Sequence, residues 1–211
     1  MVSEMLTRLN SEPIKYRTIV LLALDTGLRL GELLGLQWAD IDFEKAVLSV
    51  YKANQALGGK GIYTKSPKNS SSVRQVAISD SVMTLLKKYR TWQAQKRFTM
   101  GDKWIDGDWI FTKKDGTPIY PDTPSHWFRK FLKKNNLPLI RFHSLRHLSA
   151  TLLISLNVPL KNISSRLGHA DIRTTANIYS AALESVDHQA ADKMDAYLQR
   201  VVGADDKESP E

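Results

Sequence analysis

Residues 142–155, FHSLRHLSATLLIS, open on two imidazoles and a guanidinium and then turn apolar. The spacing predicts a helix over Ser144–Leu156, with His143 and Arg146 three residues apart near its N-terminus. Unpaired amides and the helix dipole favour an anion at such a place. His143 and His147 stand four apart, a spacing also used by helical metal sites, but no carboxylate lies between them and no third ligand follows nearby. The anion reading is the better of the two, and His147 is expected to be structural.

Towards the C-terminus, a helix is predicted over Leu160–Leu167, then Gly168-His169, then helices over Arg173–Ser180 and Val186–Val202. Tyr179 follows His169 by ten residues. A lone Tyr after a helix is most simply a core-edge residue. As a nucleophile, its phenol, with a reference pKa of about 10, needs cationic neighbours. The polar tail after Gly203 holds four acids and one Lys and reads as disordered.

Towards the N-terminus, Val2–Asn10 reads as a short helix, and Ser11-Glu12-Pro13 as the capped start of another that ends at Thr26. Gly27 is a natural left-handed terminator, and a short helix over Leu28–Leu36 follows. Arg29 and Glu32 share a face of that helix. They form either a surface pair or a guanidinium held rigid by a carboxylate, suited to a phosphate. Period-two patterning from Val47 to Tyr51 and from Val73 to Ile78, with a third strand around Ile62, predicts one small antiparallel sheet with basic turns. Lys65 and Lys68 sit in the turn before Arg74. Ser81–Arg97 reads as a helix with a Val82, Leu85, Leu86, Tyr89, Trp92 stripe, Trp109–Ile119 as a hairpin, and Ser125–Asn135 as a further helix. The sum is one mostly helical α+β domain.

The composition suits a packed core, at 42% hydrophobic and 25% charged residues. With no Cys, a disulfide framework, a thiolate nucleophile and Cys-ligated metal are excluded. No apolar run reaches the length of a membrane span and no signal peptide is evident, so a cytoplasmic location is expected. The formal charge is +8 overall, and 29 cationic against 18 acidic residues before Gly203 make it +11 there, which favours a polyanionic partner.

Four segments then stand together: TGLRLGELLGLQW (26–38), PKNSSSVRQVAI (67–78), FHSLRHLSATLLIS (142–155) and LGHADIRTTANIYS (167–180). In this order and spacing they resemble the catalytic domain of the tyrosine recombinases, the phage-integrase family of DNA strand-exchange enzymes, over nearly the whole chain. The resemblance implies a catalytic domain over residues 1–202 and an acidic tail over 203–211. It implies Arg29, Lys68, His143, Arg146, His169 and Tyr179 as catalytic, with Glu32 supporting the first arginine. Lys65 competes with Lys68, because the family's hairpin varies in length. Ser144 stands where many relatives carry Asp, and Leu148 where many carry Thr or a small residue.

The implied chemistry is attack of Tyr179 on a DNA phosphodiester, with Arg29 and Arg146 clamping the charge of the phosphorane and His169 adding a hydrogen bond. His143 takes the phenol proton and Lys68 protonates the departing 5′-oxygen. Neither ATP nor metal is called for. The implied partner is double-stranded DNA, with monomers assembling into a homo-tetramer on paired sites. Relatives carry a further DNA-binding domain before the first arginine, where this chain has 28 residues, so it reads as an excised catalytic domain or a minimal relative. The Val186–Val202 helix either packs on its own domain or docks on a neighbouring protomer. A type IB topoisomerase and a catalytically silent DNA-binding module share much of the pattern. The segment LGHADIRTTANIYS is closer to recombinases, and the filled catalytic positions argue against a silent module.

Overall fold

Helix α2 (Ile14–Thr26) is apolar on nearly every face, so it is buried rather than amphipathic, with Ile19, Val20, Leu22 and Ala23 almost wholly removed from solvent. The computed structural model describes residues 2–57, 61–65, 73–169, 171, 173 and 191–199. Around α2 pack α4 (Asp80–Met100) and α6 (Ser144–Ser155). Helix α1 (Val2–Leu9) adds Met5 and Leu9 to the same core, and α5 (Asp122–Lys134) adds Phe128, Phe131 and Leu132. Helix α2 ends where expected, at Gly27 with φ 65°. It begins differently: Pro13 flanks its first residue, and the Ser11 hydroxyl donates to the Arg8 carbonyl at the end of α1, so Ser11 closes one helix rather than opening the next.

The expected single sheet is two. Strands β1 (Ile41–Asp42), β2 (Val47–Val50) and β5 (Arg74–Ala77) form an antiparallel sheet in the order β1-β2-β5, with Leu48 opposite both Ile41 and Val76. Strands β3 (Ala53–Leu57) and β4 (Gly61–Lys65) form a separate antiparallel pair. The predicted Val47–Tyr51 strand stops at Val50, where Tyr51 and Lys52 turn to the buried Asp40. Lys52 Nζ lies 2.8 Å from that carboxylate, and the Tyr51 hydroxyl donates to it. The chain then re-enters as β3 on top of α3 (Leu30–Leu34). Gly31 permits this approach, since a Cβ there would stand 2.9 Å from the Asn54 carbonyl oxygen.

Helix α4 carries the expected stripe of Val82, Leu85, Leu86 and Tyr89, with Trp92 half-buried, and runs on to Met100. Helix α5 starts three residues before the predicted Ser125, because Pro124 is tolerated within a first turn that also holds the acidic Asp122. The Trp109–Ile119 hairpin is held by Lys113 N–H to the Thr117 carbonyl and Ile119 N–H to the Phe111 carbonyl, without forming ladder strands. Helix α7 (Leu160–Leu167) has the predicted bounds but joins a separate small core of Ala150, Ile154, Ile163 and Leu167. Residues 191–199 are helical and exposed. The predicted Arg173–Ser180 helix, the remainder of the Val186–Val202 helix and the tail lie outside the described residues, Arg173 itself excepted. Among the described residues, no helix is long and apolar enough to cross a membrane.

Candidate active site

Arg29 sits in the break between α2 and α3, in extended conformation as the residue flanking α3. A side chain placed there projects from a fixed backbone, and Glu32 fixes it further. The Glu32 carboxylate accepts the Arg29 backbone N–H at 2.9 Å and the Arg29 Nη1 at 2.9 Å, the carboxylate half of a capping box. Glu32 is buried, which by itself would raise its pKa, but Arg74 and Arg29 outweigh the burial and hold it below the usual carboxylate range. The Arg29 side chain remains 43% exposed and available to an anion.

Arg146, one turn into α6, is instead buried, at 4% exposure. A buried guanidinium must have its donors satisfied. Its Nη1 donates to the Gly27 carbonyl and its Nη2 to the Leu167 carbonyl, each at 2.7 Å.

Three successive carbonyls at the end of α7 each meet an arginine. Arg74 Nε donates to the Arg166 carbonyl at 2.8 Å, Arg146 Nη2 to that of Leu167, and Arg29 Nη2 to that of Gly168 at 3.4 Å. These are the orphan acceptors of a helix C-terminus, the negative end of its dipole, and they let three like charges gather in one place. The turn closes through Gly168 at φ 68°, and the His169 N–H returns to the Ser164 carbonyl at 3.1 Å. His169 therefore emerges beside the cations. Desolvation first, then Arg146, Arg29, Arg74 and His147, push its pKa down to about 4, so its imidazole is neutral at pH 7.

His143 immediately precedes α6, in helical conformation and exposed. Partial desolvation, then the charges of His147, Arg146 and Arg29, lower its pKa as well, which suits a neutral proton acceptor. The His147 ring packs edge-on against it at 5.1 Å between centroids, and its Nδ1 is buried without a hydrogen-bond partner among the described residues. Of the residues named from the sequence, Arg29, Glu32, His143, Arg146 and His169 thus converge. Lys68 and Tyr179 lie outside the described residues. Lys65, the competitor of Lys68, ends β4 and lines a cleft of about 730 Å³ with Arg29, Glu32 and Lys52.

Sequence reasoning missed Arg74 and Arg166. Arg74 pairs with Glu32 at 2.9 Å and is 7% exposed. Arg166 donates to the carbonyls of Asp25 and Ala77, both at 2.9 Å, tying α7 to α2 and β5. The one available signal was the place of Arg74 just after the basic turn that holds Lys65 and Lys68.

Comparison with known proteins gives a consistent picture. The model of the phage integrase family matches residues 1–185. A XerC-like tyrosine recombinase of Caldanaerobacter subterraneus subsp. tengcongensis is 36% identical over 177 residues, covering 79% of this chain and 45% of that protein. The ICEBs1 integrase of Bacillus subtilis is 33% identical over 187 residues, covering 89% and 50%. The chain therefore spans about half the length of these curated relatives. The Tn1549 transposon integrase, solved in complex with transposon right end DNA, superposes with a TM-score of 0.74 at 23% identity, covering 90% of this chain and 64% of that one, which shows a shared fold.

Proposed function

The chain belongs to the phage integrase family, and from that premise we propose that it is the catalytic domain of a site-specific DNA recombinase, cutting and rejoining strands through a covalent 3′-phosphotyrosyl intermediate. The observation that carries this reading is the gathering of Arg29, Arg146 and His169 at the C-terminus of α7 with His143 nearby. Two guanidiniums held by protein acceptors need little reorganisation to meet the charge that develops on a phosphorane.

Tyr179 is the proposed nucleophile. Its oxygen bonds to phosphorus as the bond to the 5′-oxygen breaks, His143 accepts the phenol proton, and Lys68 protonates the departing oxygen. The neutral His169 donates a hydrogen bond to a non-bridging oxygen. A second 5′-hydroxyl reverses the step on a new partner, because the phosphotyrosyl bond conserves the phosphodiester's energy. The partner is double-stranded DNA, bound through the cationic body of the chain. Monomers assemble into a tetramer on paired sites. Met194, 59% exposed on the 191–199 helix, supports docking of that segment on a neighbouring protomer.

The test incubates the chain with supercoiled plasmid, with nicked suicide duplexes and with paired half-sites. Covalent adducts, strand exchange between half-sites and tetramers in sedimentation are expected. Relaxation of the plasmid without exchange would instead identify a topoisomerase, and binding without adducts a silent module.

A further inference from the structure

The Arg74 side chain is almost wholly buried, and it touches three parts of the site. Its Nη2 donates to Glu32 Oε2 at 2.9 Å and its Nη1 to Glu32 Oε1 at 3.3 Å, while its Nε reaches the Arg166 carbonyl at 2.8 Å. Both carboxylate oxygens that Arg74 engages also accept from Arg29, through Nη1 and the backbone N–H. The same guanidinium lies against the Gly168 turn. A Cβ at Gly168 would stand 2.8 Å from Arg74 Nη1 and 3.0 Å from its Cζ. One side chain from β5 therefore spans α3, the end of α7 and the turn that presents His169.

We propose that Arg74 is a positioning residue for strand transfer, holding Glu32 in the orientation that aims Arg29 and locking that pair to the turn that carries His169. This rests on the recombinase reading above. A planar fork with a third donor at Nε can serve Glu32 and the Arg166 carbonyl together, whereas the single ammonium of lysine cannot span both. Arg74 acts through Arg29 and His169, so its loss should resemble misaiming of Arg29 more than loss of DNA binding.

The test uses the 211-residue chain and nicked suicide duplexes selected from random sequence by trapping the wild-type covalent complex. Adduct formation in a single turnover is compared for Arg74→Lys, Arg74→Met and Arg29→Ala. Each is run on the natural phosphate and on a scissile methylphosphonate, which lacks the charge that Arg29 meets. Arg74→Lys is expected to slow cleavage roughly 10- to 100-fold, the scale of a small misplacement, with DNA affinity changed less than about threefold. The methylphosphonate should restore its rate with the diastereomer preference that it shows for Arg29→Ala. Arg74→Met should add an acid-side loss of rate, because a buried Glu32 with one arginine fewer protonates at higher pH. Should the single variants not fold, Arg74→Met combined with Glu32→Gln removes the half-paired carboxylate, and should cleave no more slowly than Glu32→Gln alone. Wild-type rates in the Arg74 variants, slow variants that the methylphosphonate does not rescue, or an additive loss in the double variant would overturn the proposal. A wild-type chain that traps no duplex would overturn the recombinase reading itself, and this one with it.

Discussion

Arg146 Nη1 donates to the carbonyl of Gly27 across 2.7 Å, joining two residues 119 positions apart and closing the end of α2 with a side chain of α6. The bond places the buried guanidinium beside the break that carries Arg29, and the two guanidiniums meet the successive carbonyls of Leu167 and Gly168. Replacing Arg146 by Met leaves the Gly27 and Leu167 carbonyls short of a partner. Each unpaired buried group costs about 1 to 3 kcal/mol, and in a domain of this size each kcal/mol lowers Tm by about 2 to 4 °C. The expected result for Arg146→Met is a folded chain that melts several degrees lower and forms no DNA adduct, checked by thermal melting and gel.

His169 makes stability depend on pH in a defined direction. Its folded pKa of about 4 lies below the reference value of 6.5. The unfolded chain therefore binds more protons between those values, and stability falls as pH falls. The contribution is fully present above about pH 6.5, erodes through the window and is lost below the folded pKa. Urea unfolding from pH 7.5 to pH 4 should show a shallower loss for His169→Gln than for wild type.

Gly168 stands at φ 68°, where an L-residue pays about 1 to 2 kcal/mol in the left-handed region, and a Cβ there meets the Arg74 guanidinium. Gly168→Ala should lower Tm and slow adduct formation more than it weakens DNA binding. Equal losses in rate and affinity would show that this turn does not aim the site.

Much of this arrangement was legible in the sequence because it depends on local pattern. Gly27 ends α2 in the left-handed conformation that its place after Thr26 suggests, and α7 has its predicted bounds. His143 and Arg146 carry their helical spacing into the structure, whereas Arg29 stands outside the shorter α3 in extended conformation and meets Glu32 through a cap rather than across a shared helical face. What remained hidden depends on contacts remote in sequence. The β3 strand exists because β4 pairs with it and α3 supports it, whereas its own residues Ala53-Asn54-Gln55 give no strand signal. Arg74 looks like the cation of a basic turn, and only Glu32 and the Arg166 carbonyl, 42 and 92 residues away, make it part of the site. Ser11 fits a capping pattern equally well in either direction, and the α1 carbonyl took it.

Lys68, rather than Lys65, is proposed as the general acid. A bridging 5′-sulfur leaves readily without a proton, so such a substrate should rescue Lys68→Ala and leave Arg29→Ala slow. Rescue of Lys65→Ala instead would move the role to the end of β4, where Lys65 already lines the cleft beside Arg29.

The most direct measurement is to trap the chain on a nicked suicide duplex, digest the adduct with protease and nuclease, and find by mass spectrometry the residue that carries the nucleotide, beside the same trial with Tyr179→Phe. The account predicts a 3′-nucleotide on the peptide containing Tyr179, and no adduct but nearly unchanged DNA binding in Tyr179→Phe. A nucleotide on any other residue, or an adduct that persists in Tyr179→Phe, would contradict it.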